Sequence, residues 1–425
     1  MDRFDLLVVG GGQAGCSAAL AAARQGRKVL LAEATGSLGG SATMALVLPY
    51  MGFKTRIYKD GDCRVLWLSD GIFREIHDDL NKDEIYGFGG SDHRYHEETM
   101  KVLFDRKMAE AGVTVLFHAK LCGVERDGRM LKSVSFTTVG GVYTFSADTY
   151  IDATGDATLA AMAGSPYQLG RASDSRCQPM TLCFRMINVD MDAYEEHDHN
   201  RISDLYRQYQ AEGKIKNPRE DVLIFHTRIE NMLHFNTTRI IKLNPTDPFD
   251  RSRAEAEARE QVVELVNFLK ANFKAFKNAD LVMTAPEIGV RESRMIKARH
   301  ILTQEDLVAA TKFDDAIAAG NYDIDIHSPD GSGTSHYYFP AGVYYTIPYR
   351  SLQPQDLDNL LVAGRCIGAT HEAQASVRIM PICSCLGEAA GIAAAIAKED
   401  GVTVGDADAQ KIRARLREVG AFVGE

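Results

Sequence analysis

The sequence lacks the features that mark several classes of protein. No apolar run is long enough to cross a bilayer, and the first residues lead directly into an apolar strand pattern that leaves no room for a signal peptide. Lys and Arg are scattered, neither end carries a charged tail, and the formal net charge is −10. None of the eight cysteines forms a C-x-x-C pair, which argues against a dithiol redox centre or a zinc cluster. We therefore expect a cytoplasmic protein without a membrane, a nucleic-acid partner or a bound metal.

The cysteines are interpreted as small apolar residues buried in a reduced protein. Cys16 falls in the first turn of a predicted helix, where its pKa could be lowered, but its neighbours indicate packing between helix and sheet. With 45% apolar and 25% charged residues, the 425-residue chain predicts two domains with a large core. The cysteines are Cys16, Cys63, Cys122, Cys177, Cys183, Cys366, Cys383 and Cys385.

One stretch, FDLLVVGGGQAGCSAALAAARQGRKVLLAE, has the pattern of a complete nucleotide-binding βαβ unit over residues 4–33. Gly10, Gly12 and Gly15 have G-x-G-x-x-G spacing. In that motif the first glycine permits the turn, the second lets a pyrophosphate approach the backbone, and the third allows the helix to pack closely on the strand. The pyrophosphate would lie at the helix N-terminus, where free N–H groups favour negative charge. We therefore predict a dinucleotide site rather than an ordinary tight turn.

Glu33 ends the second strand of this unit. A carboxylate at that position can accept hydrogen bonds from both ribose hydroxyls of an adenosine and would repel a 2′-phosphate. This indicates FAD or NAD rather than NADP.

A second glycine cluster follows Glu33 closely, with Gly36, Gly39 and Gly40 preceding Ser41. A domain that binds only NAD does not need such a cluster, whereas the longer FAD needs a further stretch of small residues along its ribityl chain and flavin ring. The cluster therefore favours FAD; the alternative interpretation is a surface loop.

The remaining chain predicts the other elements of an α/β fold. From about residue 165 to about 345 the βα alternation gives way to aromatic, His-rich and charged segments, which we interpret as a substrate domain. The predicted division is therefore 1–164, 165–345 and 346–425, with the last segment completing the nucleotide-binding domain. The predicted elements are helices over 70–80, 97–111, 250–273 and 385–397 with a final amphipathic helix, strands over 4–9, 28–32, 113–118, 150–153 and 359–363, and a hairpin over 132–138 and 142–145.

Six stretches distributed over nearly the whole chain are VVGGGQAG, LGGSAT, YIDATGDATLA, PEIGVRESRMI, IPYRSLQP and NLLVAGRCIGATHEAQASVRIMP. Together they resemble the FAD-dependent oxidoreductases of the glutathione-reductase-like superfamily, in particular the broad FAD-dependent oxidoreductase family that is akin to the flavin subunit of heterodisulfide reductase. The resemblance implies an α/β fold with a Rossmann-like FAD-binding domain of the glutathione-reductase type and an inserted α+β substrate or cap domain. The iron–sulfur clusters of the heterodisulfide-reductase relatives are not expected, because the clustered Cys motifs are missing.

The resemblance also implies which residues hold the FAD. From the glycine turn, Glu33 and the second glycine cluster we expect one FAD per chain. We expect it to bind without a covalent bond, with a link to a nearby His or Cys as the alternative. The pyrophosphate, the adenosine ribose and the flavin side each have their own group of residues, and two further turns lie against the cofactor. The implied residues are Gly10, Gly12, Gln13, Ala14 and Gly15 for the pyrophosphate, Glu33 with Ala34 for the ribose, Gly40, Ser41 and Ala42 for the flavin side, and Leu121, Ala153, Thr154, Gly155, Asp156, Gly364, Arg365, Ser376 and Val377 as further contacts.

Catalysis on a flavin needs a base near the substrate and groups that orient the substrate. His371 is the first candidate base, because it stands between the Gly364-Arg365 turn and the segment expected to face the flavin, and because imidazole titrates in the right range. The alternative is that His371 only bonds a backbone group. His336 is the second candidate, and Arg378 would bind either an anionic substrate or the pyrimidine ring of the flavin.

Arg291 and Arg294 lie near helical spacing with Glu287 and Glu292, so we interpret them as a structural ion-pair network. The leading hypothesis for function is an FAD-dependent dehydrogenase or oxidase that transfers hydride between a small polar molecule and flavin. The sequence does not identify the electron acceptor, and it leaves the oligomeric state undetermined, with a homo-oligomer as one option. The rival is a flavin-bearing electron-transfer subunit or FAD-binding protein without its own small substrate. The polar and aromatic middle domain favours the enzyme.

Overall fold

The computed structural model describes residues 3–59, 62–88 and 93–424. The strands are β1 (Arg3–Val9), β2 (Val29–Ala32), β3 (Lys54–Lys59), β4 (Asp62–Trp67), β5 (Thr114–Leu116), β6 (Lys120–Asp127), β7 (Met130–Thr138), β8 (Gly141–Asp152), β9 (Tyr167–Leu169), β10 (Phe184–Ile187), β11 (Ile224–His226), β12 (Leu233–Phe235), β13 (Asp280–Thr284), β14 (Arg294–Ile296), β15 (Ala316–Gly320), β16 (Ile324–His327), β17 (Thr334–Tyr337), β18 (Tyr345–Pro348) and β19 (Leu360–Val362). The helices are α1 (Gln13–Arg24), α2 (Ile72–Lys82), α3 (Glu97–Glu110), α4 (Thr158–Met162), α5 (Met191–Ala193), α6 (His199–Ala211), α7 (Pro248–Asn272), α8 (Gln304–Val308), α9 (His371–Val377), α10 (Met380–Asp400) and α11 (Ala409–Glu418). A π-helical turn, Tyr194–Asp198, joins α5 to α6, and short 3₁₀ turns cover Gly40–Ala42, Lys274–Phe276 and Tyr349–Leu352.

The main sheet contains parallel strands in the order β5-β2-β1-β8-β19. Their register brings the carboxyl ends to one level, since Val9 lies opposite both Ala32 and Asp152. Asp152 in turn lies opposite Val362. Open α/β sheets bind ligands at this edge, so the turns that follow these strands are the natural place for a site.

Strand β8 corrects one prediction. The hairpin is present as β7 and β8, but the strand predicted over 150–153 is the end of β8 itself, which runs unbroken for 12 residues. Its first half pairs antiparallel with β7, and its second half joins the parallel strands. The first half of β8 is exposed or half-buried, whereas the second half is largely buried. The residue type therefore changes along this one strand, and in the sequence that change has the pattern of two separate strands. The sheet is therefore mixed, with β6 and β7 as its antiparallel part.

Helices α1 and α10 pack backbone to backbone. A Cβ atom on Gly387 would lie 1.9 Å from the carbonyl oxygen of Ala14, and one on Gly391 would lie 2.3 Å from that of Ala18. Only glycine allows this approach at positions 387 and 391. The small residues that make up much of the rest of both helices, Ala, Ser and Cys, allow the two helices to lie close together along their length.

Helix α10 also corrects the expectation that no apolar run could cross a bilayer. Its 21 residues are long and apolar enough by length and composition, and no other helix of the described residues passes that test. The apolar window is 100% buried inside the protein, however. Its composition is therefore that of a core helix.

A second hydrophobic core lies in the middle of the chain. The antiparallel sheet β11-β12-β10-β13 packs with α6 and α7, and most of the buried residues of this core lie between 180 and 288. Buried residues between 302 and 352 pack instead with α1 and α10 in the first core. The division at 164 and 345 stays a prediction.

The prediction that all eight cysteines are buried is correct for six of them. Cys63 and Cys122 are exposed, because they lie on hairpin strands whose outer faces meet solvent, whereas the other six are buried. Burial raises the pKa of the Cys16 thiol, so the helix N-terminus does not activate it.

Glu388 of α10 is a buried carboxyl group that makes the stability of the fold depend on pH. It accepts a hydrogen bond of 3.0 Å from the backbone N–H of Ile72, and burial raises its pKa from 4.5 to about 8. Between these two values the folded state keeps a proton that the unfolded state releases, so stability falls as the pH rises from about 4.5 to 8. Glu388→Gln removes the ionisation and keeps an acceptor for Ile72. We expect its free energy of unfolding to exceed that of the wild type by up to about 4 kcal/mol at pH 8 and to differ little at pH 5.

Urea unfolding at the two pH values measures this difference. The control is Glu399→Gln, which changes an exposed carboxylate on the same helix. Equal stability of wild type and Glu388→Gln at pH 8 would show that Glu388 ionises without cost.

Candidate functional site

The three motif glycines, Gly10, Gly12 and Gly15, differ in how much space the structure leaves for a side chain. Gly10 has φ of 101°, and a Cβ atom on it would lie 2.5 Å from the carbonyl oxygen of Ala153. A Cβ atom on Gly15 would lie 1.8 Å from the carbonyl oxygen of Gly10. On Gly12 a Cβ atom would approach only the Cα of Gly40, at 3.8 Å. The fold itself therefore needs Gly10 and Gly15, while the space beside Gly12 stays open at the N-terminus of α1, where a pyrophosphate fits.

Glu33 is held at the edge of this loop. Its carboxylate accepts hydrogen bonds from the backbone N–H groups of Gly11, at 2.6 Å, and of Thr35, at 2.8 Å. Each carboxylate oxygen has a further lone pair, so two more donors can bind. The residue is fixed in position and keeps the acceptors that ribose hydroxyls require.

The second glycine cluster packs directly on the first. Gly39 donates a backbone hydrogen bond of 2.8 Å to Gly11, and a Cβ atom on Gly40 would lie 2.7 Å from the Cα of Gly12. Leu38 and Ala42 on either side are buried. The surface-loop alternative is therefore wrong, because this turn is packed against the first glycine loop.

Two further turns close the same edge. After β8, Asp156 accepts hydrogen bonds of 2.7 Å from both Arg365 and the hydroxyl of Ser293. Burial acts to raise the pKa of Asp156, but the guanidinium groups of Arg365 and Arg251 outweigh it and lower the pKa. Gly364, after β19, would bring a Cβ atom 3.6 Å from that of Ala14. The structure thus brings together the loop after β1 and the turns after β8 and β19.

Other predicted cofactor residues are enclosed by protein. Ser376 is fully buried, with its hydroxyl 2.7 Å from that of Tyr345 and 2.5 Å from the carbonyl oxygen of Tyr322, which accepts its proton. Val377 is also fully buried. Neither residue therefore presents a surface to a ligand in this structure.

The last three predicted contacts differ in their surroundings. Leu121 lies on β6, two residues after Ala119, which donates a backbone hydrogen bond of 2.9 Å to Glu33. Ala34 is exposed beside Glu33. Gln13 is buried, and its side-chain nitrogen lies 3.3 Å from the sulfur of Met100. Burial raises the pKa of the Tyr50 hydroxyl, while a hydrogen bond with Gln13 acts to lower it. The Gln13 side chain therefore has partners within the protein.

His371 is paired with a carboxylate that we interpreted differently. It begins α9, and its Nδ1 lies 2.7 Å from Oε1 of the fully buried Glu292. The other carboxylate oxygen of Glu292 accepts a hydrogen bond of 2.8 Å from the backbone N–H of Gln178. His371 also lines a cavity of about 490 Å³ together with Ser335. The alternative that His371 bonds a backbone group is therefore wrong: a fixed carboxylate orients the ring beside a cavity.

The predicted ion-pair network around Arg291 is not present. The segment is not helical, so the assumed spacing does not bring the side chains together. Glu292 pairs with His371, and Arg294 donates to the carbonyl oxygen of Asp156 at 3.1 Å. Within the described ranges no carboxylate lies within 4.0 Å of Arg291.

Asp325 on β16 gathers several groups that the sequence did not connect. Its carboxylate lies 3.2 Å from Nε2 of His327, 3.4 Å from Arg378 and 3.0 Å from the hydroxyl of Tyr322. His336 lies further out, 3.7 Å from Asp325, with its Nδ1 2.5 Å from Asp323. Burial lowers the pKa of His327 to about 3, and nearby Arg291 adds to that shift. His327 is therefore neutral, and Arg378 is the cation that faces Asp325.

The contacts of Glu33 predict a loss of cofactor binding in Glu33→Ala. Charge-assisted hydrogen bonds to the ribose contribute roughly 1.5–3 kcal/mol, so we expect about 10- to 150-fold weaker FAD binding without loss of the fold. Equilibrium titration of apoprotein with FAD measures this, with Glu98→Ala, which removes an exposed carboxylate on α3, as the control. FAD binding as tight as in the parent would exclude the ribose role.

Comparison with known proteins gives a family and no curated relative. The sequence model of a family described as FAD dependent oxidoreductase matches residues 5–416. A search of the curated proteins finds no match. Among solved structures the chain is similar to a geranylgeranyl bacteriochlorophyll reductase-like protein from Thermoplasma acidophilum, with 15% identity, coverage of 98% of this chain and 84% of that chain, and a TM-score of 0.48. It is also similar to a flavoprotein/dehydrogenase from Cytophaga hutchinsonii (12% identity, 97% and 82% coverage, TM-score 0.46) and to p-nitrophenol 4-monooxygenase from Pseudomonas putida (10% identity, 99% and 82% coverage, TM-score 0.44).

Proposed function

The chain belongs to the FAD-dependent oxidoreductase family, with FAD as its cofactor, and we propose that it oxidises a small polar substrate with His371 as the base. The observation that carries this proposal is the 2.7 Å contact between His371 and Glu292 beside a cavity. A carboxylate on one ring nitrogen fixes the orientation of the imidazole and leaves the other nitrogen for the substrate.

The position of His371 follows from the elements around it. Helix α9 comes six residues after Arg365, and Gln374 on α9 donates to the carbonyl oxygen of Arg365 at 3.3 Å. The same amide donates to the carbonyl oxygen of Arg291 at 2.9 Å. The base is thus tied to the turn that closes the proposed cofactor site.

We further propose that the residues implied by the resemblance hold the FAD, from Glu33 at the ribose to Gly40, Ser41 and Ala42 on the flavin side. The open space beside Gly12 supports this assignment. The glutathione-reductase type of the FAD-binding domain, with the substrate or cap domain inserted at 165–345, belongs to the same proposal. The strand order β5-β2-β1-β8-β19 with antiparallel β6 and β7 supports it. A cytoplasmic location, a small-molecule substrate and an unidentified electron acceptor complete it.

When bound, FAD supplies the hydride acceptor. His371 takes the proton of the substrate hydroxyl or amine on the ring nitrogen that does not face Glu292. Glu292 keeps the ring in place through its bonds to His371 and to the backbone of Gln178. The proton can then pass to solvent through the cavity that His371 lines together with Ser335 and Glu372.

A reductive titration tests the proposed function. The FAD-loaded protein is mixed without oxygen with sugars, polyols, amino acids and hydroxy acids, and loss of the flavin absorption band is followed. We expect at least one class to reduce the flavin at a saturable rate. Reduction by none of them, together with rapid reduction by dithionite, would favour an electron-transfer subunit instead.

A further inference from the structure

Building on the proposed function, we infer that the substrate carries a carboxylate and that Arg291 binds it. Arg291 lies at the junction of the middle domain with the flavin side of the site. Glu287, four residues earlier, donates a backbone hydrogen bond of 3.1 Å to Met44, which follows the Gly40–Ala42 turn. Directly after Arg291 comes Glu292, the partner of His371.

The guanidinium of Arg291 is held in place by neutral groups only. One terminal nitrogen donates to the carbonyl oxygen of Pro179 at 2.8 Å and to the hydroxyl of Thr181 at 2.5 Å. The other lies 3.4 Å from the side-chain oxygen of Asn236. A guanidinium has five N–H donors, so these contacts leave donors for a ligand, and Arg291 is half-buried rather than buried.

The neighbouring charges are already paired. Arg219 lies 2.9 Å from Asp221, and Arg378 lies 3.4 Å from Asp325. Arg291 therefore carries the excess positive charge of this group within the described residues.

That excess charge is unfavourable without an anion. Burial lowers the pKa of Arg291, and the nearby cations Arg378 and Arg219 lower it further, while Asp325 opposes them. The guanidinium nevertheless keeps its proton at neutral pH. Arg291 and Arg378 both interact with the single carboxylate of Asp325, so a second anion would stabilise this group of charges, and a planar carboxylate supplies both the charge and the geometry that a guanidinium matches.

The test compares acids with their amides on the FAD-loaded protein. Acetate, malonate and benzoate have no C–OH group to oxidise, so their binding can be measured by calorimetry without turnover, at pH 7 and constant ionic strength. Acetamide, malonamide and benzamide are the neutral counterparts. We expect at least one acid to bind at least tenfold more tightly than its amide, and Arg291→Gln to lose that preference, with Arg291→Lys retaining part of it.

The control is Arg253→Gln, which removes an exposed charge on α7 and should leave the preference unchanged. If no acid binds better than its amide, or if Arg291→Gln keeps the preference, the inference is wrong. If Arg291→Gln does not fold, the comparison of acid binding with amide binding in the wild type and in Arg291→Lys still tests the inference.

The same acid–amide comparison in the reductive titration, with lactate and lactamide or an amino acid and its amide, separates this inference from the proposed function. If only neutral compounds reduce the flavin, the inference that the substrate carries a carboxylate is wrong, and the proposed function still holds. Acid binding that depends on Arg291, without reduction by any compound, would keep the anion site and overturn the proposed function.

Discussion

His371→Ala should keep its FAD and lose most of its rate of flavin reduction by substrate. A positioned base contributes about 10²–10⁴-fold to such a step, because the proton must leave as the hydride is transferred. Stopped-flow reduction by the substrate found in the titration measures the loss. Reduction by dithionite, which needs no base, should be unchanged.

Glu292→Gln tests the origin of the effect. The amide keeps the size of the side chain but removes the charge that orients the imidazole, so we expect a loss in the same direction and smaller than that of His371→Ala. His336→Ala serves as the comparison, because its ring pairs with Asp323 and stacks on Tyr338 at the surface. A fully active His371→Ala variant would transfer the role of base to His336 or Tyr337, and loss of FAD from it would make His371 structural.

The sequence was most informative where chemistry depends on neighbouring residues. The predicted βαβ unit is present as β1, α1 and β2, because strand, glycine turn, helix and carboxylate must follow each other along the chain. The FAD-dependent oxidoreductase family was identified from six stretches distributed over nearly the whole chain, of which the glycine turn is one, and the family match confirms it.

The candidate site was predictable only in part, because its pairs join distant residues. Glu292 and His371 are separated by 79 positions, and the sequence offered Glu292 nearer partners in Arg291 and Arg294. Helical spacing predicts contacts between the arginines and glutamates of residues 287–294, but the backbone is not helical there, so this spacing does not bring them together. Asp325 and Arg378 are likewise joined only by the fold. The arginine-rich segment contains acidic residues that could serve as a partner for a predicted base. No feature of the neighbouring sequence, however, distinguishes Glu292 from the others.

The second large effect separates the cofactor role that the motif assigns to Gly12 from the packing role that it assigns to Gly15. Gly15→Ala should destabilise the protein with or without FAD, because the new Cβ atom would lie 1.8 Å from the carbonyl oxygen of Gly10 and 3.2 Å from the Cβ of Ala153. Helix α1 and strand β1 cannot move apart to relieve this contact without breaking the packing of α1 on the sheet. Overpacking of this kind typically costs about 1–3 kcal/mol, and contact with backbone rather than with a flexible side chain places Gly15→Ala at or above the upper end.

Gly12→Ala should instead fold normally and fail to hold FAD. Gly12 has φ of −72° and ψ of −173°, which alanine adopts without strain, and its Cβ atom would meet only the Cα of Gly40, at 3.8 Å. The methyl group would, however, fill the open space at the N-terminus of α1 that we assign to the pyrophosphate. Losing one or two charge-assisted hydrogen bonds to a phosphate weakens binding on the order of 10²-fold or more.

The two variants are compared by urea unfolding of the apoproteins and by FAD titration. Gly331→Ala is the control, because a Cβ atom there meets nothing within 4 Å. We expect Gly12→Ala apoprotein to unfold at the urea concentration of the wild type and Gly15→Ala at a clearly lower one. If Gly12→Ala binds FAD as the wild type does, the pyrophosphate does not lie beside Gly12, and the cofactor enters this edge of the sheet by another route.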